Sequence, residues 1–350
     1  MPAVHALLAG KEWAGVPDET QSALKDAYRL HVVRSLALAR ELVRLLALFD
    51  HAGLRVLPLK GPALACQVYG APEARQAGDL DLLVAPTDER ASLDLLGTHG
   101  FGSELAGLTD RQRRLEESFR HHLALVHERS GLRVELHTAA SPPRLGVRFD
   151  FEALWSARSV TTFGSRTLPV LSPEHTLLTL CAHATSHGWW RLSWLLDIAQ
   201  LLRHPRELDW ECAAAAMGPA RVSRMVHVGL LLVWHLMEAP LPRGVVAAAS
   251  ADTPAAGTVA RVLSRGFADD QAPSDRAALV PFHLPVIERG RDKVVYLADV
   301  ALKPSTEDYD LVALPDALLP AYFLVRPPRL ALKHGRRVLG RRARGATGRG

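Results

Sequence analysis

The sequence predicts an α/β (α+β) fold in which a small sheet flanked by helices is followed by a mainly α-helical C-terminal domain. Two observations predict it: short apolar or alternating segments occur before about residue 165, and longer runs at helical spacing dominate after it. With 350 residues and 48% hydrophobic content, two domains are favoured over one. We expect domains over residues 1–165 and 166–325, then a basic tail over residues 326–350 that can be disordered.

A long helix is the first predicted element. Apolar residues recur at helical spacing from Asp18 to Phe49, with Pro17 before this run and Gly53 after it. We expect this helix to pack on the sheet.

A strand, a glycine turn and a helix start come next. The apolar run Leu54–Leu59 leads into Lys60, Gly61 and Pro62, and a helical pattern continues through Tyr69. Proline suits the first helical position, and the free N–H groups of a first helical turn can hold a phosphate. Glycine lets the backbone come close to such a group. The lysine can add charge to the same phosphate, or it can be a solvated side chain at a strand end.

Two aspartates stand two residues apart in the next apolar segment. On a strand, Asp79 and Asp81 point to one face, while Leu80 and Leu82 point to the other. Two carboxylates held together favour a cation such as Mg²⁺, which takes oxygen ligands. The alternative is a strand end with solvated acids. Just upstream, Arg75 can reach a triphosphate with its fork of donors, or it can be a surface arginine.

A helix and a hairpin complete the first domain. Thr87 offers an oxygen cap to a helix that ends near Thr98. His122–Glu128 and Gly131–His137 both alternate, and the turn between them predicts a β-hairpin. Its second arm carries Glu135, which meets the aspartates if the two strands are neighbours. An exposed strand glutamate is the alternative.

These segments together resemble the DNA polymerase beta-like nucleotidyltransferase superfamily, in which a strand ending in Gly and a helix precede a strand with two aspartates. Within it, the chain looks most similar to the uncharacterised bacterial nucleotidyltransferase family with the pattern LKG…Y…R…DLDLLV. The matching residues are Leu59–Gly61, Tyr69, Arg75 and Asp79–Val84. Pro62 departs from the superfamily, in which a Ser or a second Gly usually follows the first Gly.

The resemblance implies a nucleotidyltransferase core with a small mixed sheet and a metal-dependent reaction. Mg²⁺ or Mn²⁺ ions about 3.5–4 Å apart would assist the attack of an acceptor oxygen on the α-phosphate of a nucleoside triphosphate such as ATP, and pyrophosphate would leave. The implied catalytic and metal-binding residues are Asp79, Asp81 and Glu135. The implied nucleotide-binding residues are Lys60, Gly61 and Arg75.

Two further roles follow from the resemblance. Glu135 would bind the second metal ion or act as the base that takes a proton from the acceptor hydroxyl. His137 fits the acid-x-His pattern of the family and would orient the acceptor or a phosphate, unless it is a structural histidine.

The helical domain opens at Ser172–Glu174, with a hydroxyl cap and Pro at the first helical position. His183 and His187 share a face of this helix, and similar histidines in related sequences favour a polar seam that faces the catalytic cleft and the acceptor. A transition-metal site is disfavoured because the Glu of a His-Glu-x-x-His motif is absent. The alternative is helix packing around the tryptophans Trp189, Trp190 and Trp194.

Composition predicts a cytoplasmic protein. No segment has the order of a secretory signal, and no apolar run reaches the length of a membrane span. We expect buried free thiols at the cysteines Cys66, Cys181 and Cys212. Much of the formal net charge of +5 lies in the basic tail, which can contact nucleic acid, contact an anionic membrane or only aid solubility.

Three functions remain open. The first is transfer of a nucleotide to a hydroxyl or similar group of a small molecule, such as a sugar or a natural-product or peptide intermediate. The second is transfer to a protein side chain or an RNA end, and the basic tail slightly favours RNA. The third is a non-catalytic scaffold with the same fold, for which Pro62 is the only hint.

Overall fold

The computed structural model describes residues 2–104, 122–204, 208–267 and 276–303, with short stretches between 311 and 329. Helices and strands follow one another in the order α1 Pro2–Ala9, α2 Asp18–His51, β1 Val56–Pro58, α3 Gly61–Tyr69, β2 Leu80–Val84, α4 Glu89–Thr98, β3 Phe101–Ser103, β4 His122–His127, β5 Arg133–His137, α5 Phe151–Ser156, β6 Ser159–Phe163, β7 Arg166–Val170, α6 Pro173–Ser186, α7 Leu192–Arg203, α8 Trp210–Ala220, α9 Ser223–Met237, α10 Arg243–Ala251, α11 Thr253–Arg265, α12 Val280–His283 and α13 Gly290–Leu302.

Five strands form a mixed sheet in the order β1-β2-β5-β4-β3. Only β2 and β5 run parallel among the described pairs of this sheet, and Asp81 lies opposite Glu135 in their register. The predicted hairpin is present as β4 and β5, with Gly131 in the left-handed region at φ +68°. The sheet therefore places the predicted third carboxylate directly beside the second.

One face of this sheet is covered by α2, as the sequence predicts. Leu80, Leu82 and Leu136 are almost completely buried and pack with apolar residues of the long helix. Because side chains alternate along a strand, Asp81 and Glu135 point to the opposite face. Burial of the leucines thus fixes which face carries the carboxylates.

The start of α4 differs from the prediction. Pro86 opens a 3₁₀ turn, Pro86–Asp88, so the α-helix begins at Glu89 and no side chain caps it. The Thr87 hydroxyl donates instead to the Asp88 carboxylate at 3.1 Å. Proline fixes its own φ and suits the first position of a helical turn, which moves the helix start past the threonine.

After β7, the described chain is mainly helical. The predicted cap of α6 is present, since the Ser172 hydroxyl accepts a hydrogen bond from the His175 backbone N–H. Most of α9, from Met225 to Val233, is buried at the centre of the helical region. None of the helices that the structure describes is long and apolar enough to cross a membrane.

Two details concern the cysteines and the tail. Cys66 and Cys181 are buried free thiols, but Cys212 is exposed, so the prediction of a buried thiol is wrong there. That thiol lies on the outward side of α8, where most side chains are exposed.

Arg326, the first residue of the predicted tail, is buried and donates to the Val300 carbonyl, whereas residues 330–350 lie outside the described residues. The predicted domain division stays a prediction.

Candidate active site

Asp81 is the centre of a polar cluster on the open face of the sheet. Its side chain is 2% exposed, and its Oδ1 lies 3.0 Å from Lys60 Nζ and 3.2 Å from His137 Nε2. The same His137 nitrogen lies 3.4 Å from Glu135 Oε2. One lysine, one histidine and two carboxylates therefore meet where β2 and β5 run side by side.

The charges of these groups are strongly coupled. Burial alone would raise the pKa of Asp81, but the charge of Lys60 and the hydrogen bond from His137 outweigh it and hold that pKa far below its usual range. Burial raises the pKa of Asp79, and the charges of Asp81 and Glu135 raise it further. Burial and the two neighbouring carboxylates therefore disfavour the ionised form of Asp79.

Gly61 brings the backbone of the predicted phosphate turn against the aspartates. Its φ is +64°, and a Cβ at this position would lie 3.1 Å from the Asp79 carbonyl oxygen. The Leu59 N–H donates to the Asp81 carbonyl at 3.0 Å, which continues the β1–β2 pairing up to the turn. No side chain caps α3, which begins at Gly61, so its first turn keeps donors available for an anion.

A second set of ligand atoms includes a residue that the sequence analysis missed. One nitrogen each of His122 and His137 and one oxygen of Glu135 lie within 4.8 Å of one another. His122 begins β4 and lies opposite His137 in the register. The signal was present in the sequence, because the alternation of both hairpin arms puts the two histidines on the face of Glu135.

Asp79, Asp81 and Glu135 offer the oxygen ligands that a hard divalent ion takes. Among the described residues, the group whose ligand atoms all lie within 4.8 Å of one another is His122, Glu135 and His137. His122 and His137 add nitrogen ligands, which Mn²⁺ accepts more readily than Mg²⁺ does. The donor set therefore suits either of the two ions that the sequence analysis names.

The structure brings His183 next to this cluster. Its Nδ1 lies 3.5 Å from Lys60 Nζ, and its ring centroid lies 4.8 Å from that of His187, which follows the last residue of α6. Trp194 packs against both rings, with centroids 5.5 and 5.2 Å away. Burial and then the charge of Lys60 hold the pKa of His183 well below its ordinary value, so this imidazole is neutral at pH 7.

The two interpretations of this histidine segment, a polar seam and helix packing around the tryptophans, each describe part of what the structure shows. The histidines form a polar seam beside Lys60, and Trp189, at 1% exposure, lies in the helical core. Trp190 is half-buried, with the Arg265 guanidinium over its ring at 3.9 Å from the centroid.

Arg75 has a partner that the sequence analysis did not assign. Its Nε donates to both carboxylate oxygens of Asp197, at 2.9 and 3.0 Å, and the Tyr69 hydroxyl donates to the same carboxylate at 2.8 Å. The Asp197 side chain is 2% exposed. This buried ion pair links the segment between α3 and β2 to α7, and it leaves the terminal nitrogens of Arg75 outside the pair.

The arrangement can bind a phosphate and a divalent ion at one place and can accept a proton there. Lys60 and the turn at Gly61 supply positive charge and donors, the Asp81 carboxylate contacts Lys60 and lies opposite Glu135, and Asp79 directly precedes β2. These are the elements that a phosphoryl-group transfer requires.

One comparison with known proteins, that with protein-family models, agrees with the reaction class. A family model described as an uncharacterised nucleotidyltransferase matches residues 1–238, well over half of the 350 residues. No curated protein sequence matches the chain at a significant level. Among solved structures, the lincosamide antibiotic adenylyltransferase LnuA with lincomycin bound aligns at 20% identity and a TM-score of 0.33, covering 46% of this chain and 94% of that one. At a TM-score this low, the alignment does not bear on the function of this chain.

Proposed function

The chain belongs to the uncharacterised nucleotidyltransferase family and is a nucleotidyltransferase, and from this premise we propose that it moves a nucleoside monophosphate from a nucleoside triphosphate to a hydroxyl or similar group of a small molecule. The observation that carries the proposal is the register of Asp81 with Glu135, beside Lys60 and Gly61. These residues supply a phosphate-binding turn, a metal-binding face and a base within one cluster.

Lys60, Gly61 and Arg75 bind the nucleotide in this proposal. The Gly61 backbone and the first turn of α3 receive a phosphate, and Lys60 adds charge from the N-cap position of the same helix. The Arg75 Nη2 reaches the outer phosphates, while Nε stays on Asp197 and Nη1 donates to the Gln76 carbonyl at 3.4 Å. In the absence of nucleotide, Asp81 and Lys60 neutralise each other.

Asp79, Asp81 and Glu135 hold Mg²⁺ or Mn²⁺ in this proposal. When bound, the metal stabilises the charge on the attacking and leaving oxygens. The chain must then position the triphosphate and keep Asp81 ionised. The Lys60 and His137 contacts support that role, since they hold the pKa of Asp81 far below neutrality.

The covalent step forms one bond and breaks one. The acceptor oxygen bonds to the α-phosphorus, the bond from that phosphorus to the bridging oxygen breaks, and pyrophosphate leaves with the electron pair. Where Glu135 acts as the base rather than as a ligand of the second ion, the acceptor proton passes to its carboxylate. That carboxylate is ionised at neutral pH, because the hydrogen bond from His137 and the charge of His122 outweigh burial and lower its pKa. His137 orients the acceptor or a phosphate while it holds Asp81 and Glu135.

We propose a small-molecule acceptor because His183, His187 and Trp194 line one side of the cluster. A neutral imidazole accepts or donates a hydrogen bond, and an indole ring offers an apolar surface, which suits a hydroxylated organic molecule. The RNA alternative rests on the basic tail, most of which lies outside the described residues.

Transfer of α-phosphate label tests the proposal. Each of the four nucleoside triphosphates, with Mg²⁺ or Mn²⁺, is incubated with a deproteinised lysate and with a whole lysate of the source organism. Label should enter a small-molecule fraction with the wild type and not with Asp79→Asn or Asp81→Asn. Asp94→Asn is the matched control, since its carboxylate pairs with Arg90 on the exposed side of α4.

Two results would overturn parts of the proposal. Label in a protein or RNA fraction alone would reject the small-molecule acceptor. No label, together with no metal-dependent nucleotide binding by calorimetry, would reject turnover and favour the scaffold.

A further inference from the structure

A cavity lies apart from the predicted catalytic residues and is lined mainly by arginines. It has a volume of about 290 Å³, and five guanidinium side chains and one carboxylate line it. We name it the arginine cavity. Its lining residues are Pro143, Arg144, Gly146, Arg148, Arg221, Arg289, Arg291, Asp292 and Val295.

Three segments build the wall of this cavity and are in direct contact. Arg221 Nη1 lies 3.0 Å from Asp292 Oδ2, which joins the end of α8 to the first turn of α13. Gly146 has φ +74°, and a Cβ there would lie 2.8 Å from the Asp292 side chain. The Arg148 N–H donates to the Ala220 carbonyl at 3.0 Å. The cavity is therefore a built feature of the fold.

The cavity carries a large excess of positive charge. Asp292 is the only carboxylate of its lining and pairs with Arg221, which leaves four arginines without an acidic partner in the lining. Arg144 is half-buried and forms no hydrogen bond or ion pair with any residue that the structure describes. Burial and the nearby charge of Arg276 lower the pKa of Arg144. A bound anion would relieve both costs.

The first turn of α13 adds backbone donors on the same side. This helix runs over thirteen residues from Gly290 to Leu302, and no side chain caps its N-terminus at Arg289. Arg289 and Arg291, which flank the helix start, are both exposed and line the cavity. A helix N-terminus with guanidinium groups around it matches the acceptor oxygens of a phosphate.

We propose that the arginine cavity binds the phosphate or diphosphate group of the acceptor, so that the acceptor is a phosphorylated small molecule. The use of the anion as part of the acceptor rests on the proposed function, but anion binding itself does not. The volume is close to the lower end for small-ligand pockets, which suits one or two phosphates. The cavity is joined to the histidine segment through His283, whose ring nitrogens lie 2.9 Å from the Tyr296 hydroxyl of α13 and 2.8 Å from the Thr185 carbonyl of α6.

Calorimetry with inorganic pyrophosphate in the presence of a metal chelator tests the binding. Wild type and Asp81→Asn should both keep the pyrophosphate site at the arginine cavity, since that site involves neither Asp81 nor a metal; any pyrophosphate bound at the Lys60 turn is set apart because it does not depend on the cavity arginines. Arg144→Gln and Arg291→Gln should each weaken binding by about tenfold or more, because each removes a charge-assisted contact. Arg90→Gln, at an exposed position of α4, should bind as the wild type does.

Several results would overturn the assignment. The first is no pyrophosphate binding by the wild type. The second is wild-type affinity in both Arg144→Gln and Arg291→Gln. The third is loss of binding in Asp81→Asn alone. Misfolding cannot mimic the expected result, because Arg291 is exposed and circular dichroism checks both variants.

A second arm identifies the source of the phosphate. The deproteinised lysate is treated with alkaline phosphatase, the phosphatase is removed, and label transfer is repeated. If the acceptor is phosphorylated, much less label should be transferred after treatment. Arg144→Gln should also need a higher concentration of untreated lysate for half-maximal label transfer than Arg90→Gln does. Unchanged transfer after treatment would reject the phosphorylated acceptor. Absence of label from every untreated sample would instead count against the proposed function, and the pyrophosphate result would stand.

Discussion

At the scale of single residues, Gly61 is the position where backbone conformation and site geometry meet. Gly61 and Gly70 stand at the two ends of α3, and both have positive φ, at +64° and +80°. Only Gly61 has an atom near its missing Cβ, the Asp79 carbonyl oxygen at 3.1 Å; nothing lies within 4 Å of the position at Gly70. The two glycines therefore share the conformational requirement and differ in the close contact.

This difference gives a matched pair of variants. Gly70→Ala should cost about 1–2 kcal/mol of stability, the penalty for a side chain in the left-handed region, and should keep nucleotidyl transfer. Gly61→Ala should cost more, and should lower transfer at least tenfold because it moves the backbone at Asp79. Urea unfolding and label transfer measure the two effects. Equal transfer by both variants would show that the contact at Asp79 is unimportant for activity.

The cysteines provide a test of burial at single positions. Burial, with a smaller contribution from Glu73, raises the pKa of Cys66 to about 11, and burial raises the pKa of Cys181 as well. Cys212 is exposed. At pH 8 an aromatic disulfide reagent should therefore label one thiol per native chain and three in urea, because the thiolate is the reactive form.

Cys212→Ser is the control for that count. This variant should show no fast-reacting thiol when folded and two thiols in urea. Fast labelling of Cys66 in the folded variant would mean that α3, next to the phosphate turn, opens readily in solution.

Single residues also show how far the sequence could predict the site. Alternation along β2 and β5 was sufficient to put Asp81 and Glu135 on a common face, since the opposite face is apolar and buried. The pairing of Arg75 with Asp197 could not be predicted, because 122 positions separate the two residues and no periodicity relates them. Tyr69, another residue of the LKG…Y…R…DLDLLV pattern, donates its hydroxyl to the same carboxylate, which gives it a structural role.

At the scale of elements, helix starts were predictable where a side chain caps them. Ser172 caps α6 through its hydroxyl, and Pro173 occupies the first helical position. The start of α4 was not predicted correctly, because a proline-led 3₁₀ turn precedes it. Local side-chain chemistry thus decides one boundary, whereas a competing turn decides the other.

The Ser172 cap can be measured against a second serine. Ser172→Ala should lower the free energy of unfolding by about 1 kcal/mol, because a backbone N–H of α6 loses its acceptor. Ser223→Ala is the same change at the first residue of α9, where no side chain caps the helix, and should have little effect. Because α6 carries His183, thermal unfolding should be accompanied by an assay of label transfer. Equal destabilisation by both variants would refute the cap as the cause.

At the scale of the whole molecule, the site depends on contacts between the sheet and the helices that follow it. Lys60 reaches His183, and Arg75 reaches Asp197, so both α6 and α7 contact residues next to the phosphate turn. Periodicity predicts each element but not how elements approach one another over more than a hundred positions. The fold class could therefore be predicted from the sequence, and the resemblance predicted a histidine seam facing the cleft, whereas the link from Arg75 to Asp197 required the structure.

The Arg75–Asp197 pair can separate this structural link from nucleotide binding. Removing one partner of a buried ion pair leaves the other charge uncompensated, so Arg75→Gln should cost about 3–5 kcal/mol of stability. Adding Asp197→Asn should recover much of that loss, since an amide still accepts from Tyr69 and no charge stays buried. If Arg75 also contacts the triphosphate, nucleotide affinity should fall in the single variant and stay low in the double variant. Recovery of affinity together with stability would show that Arg75 acts only by holding α7 against the phosphate turn.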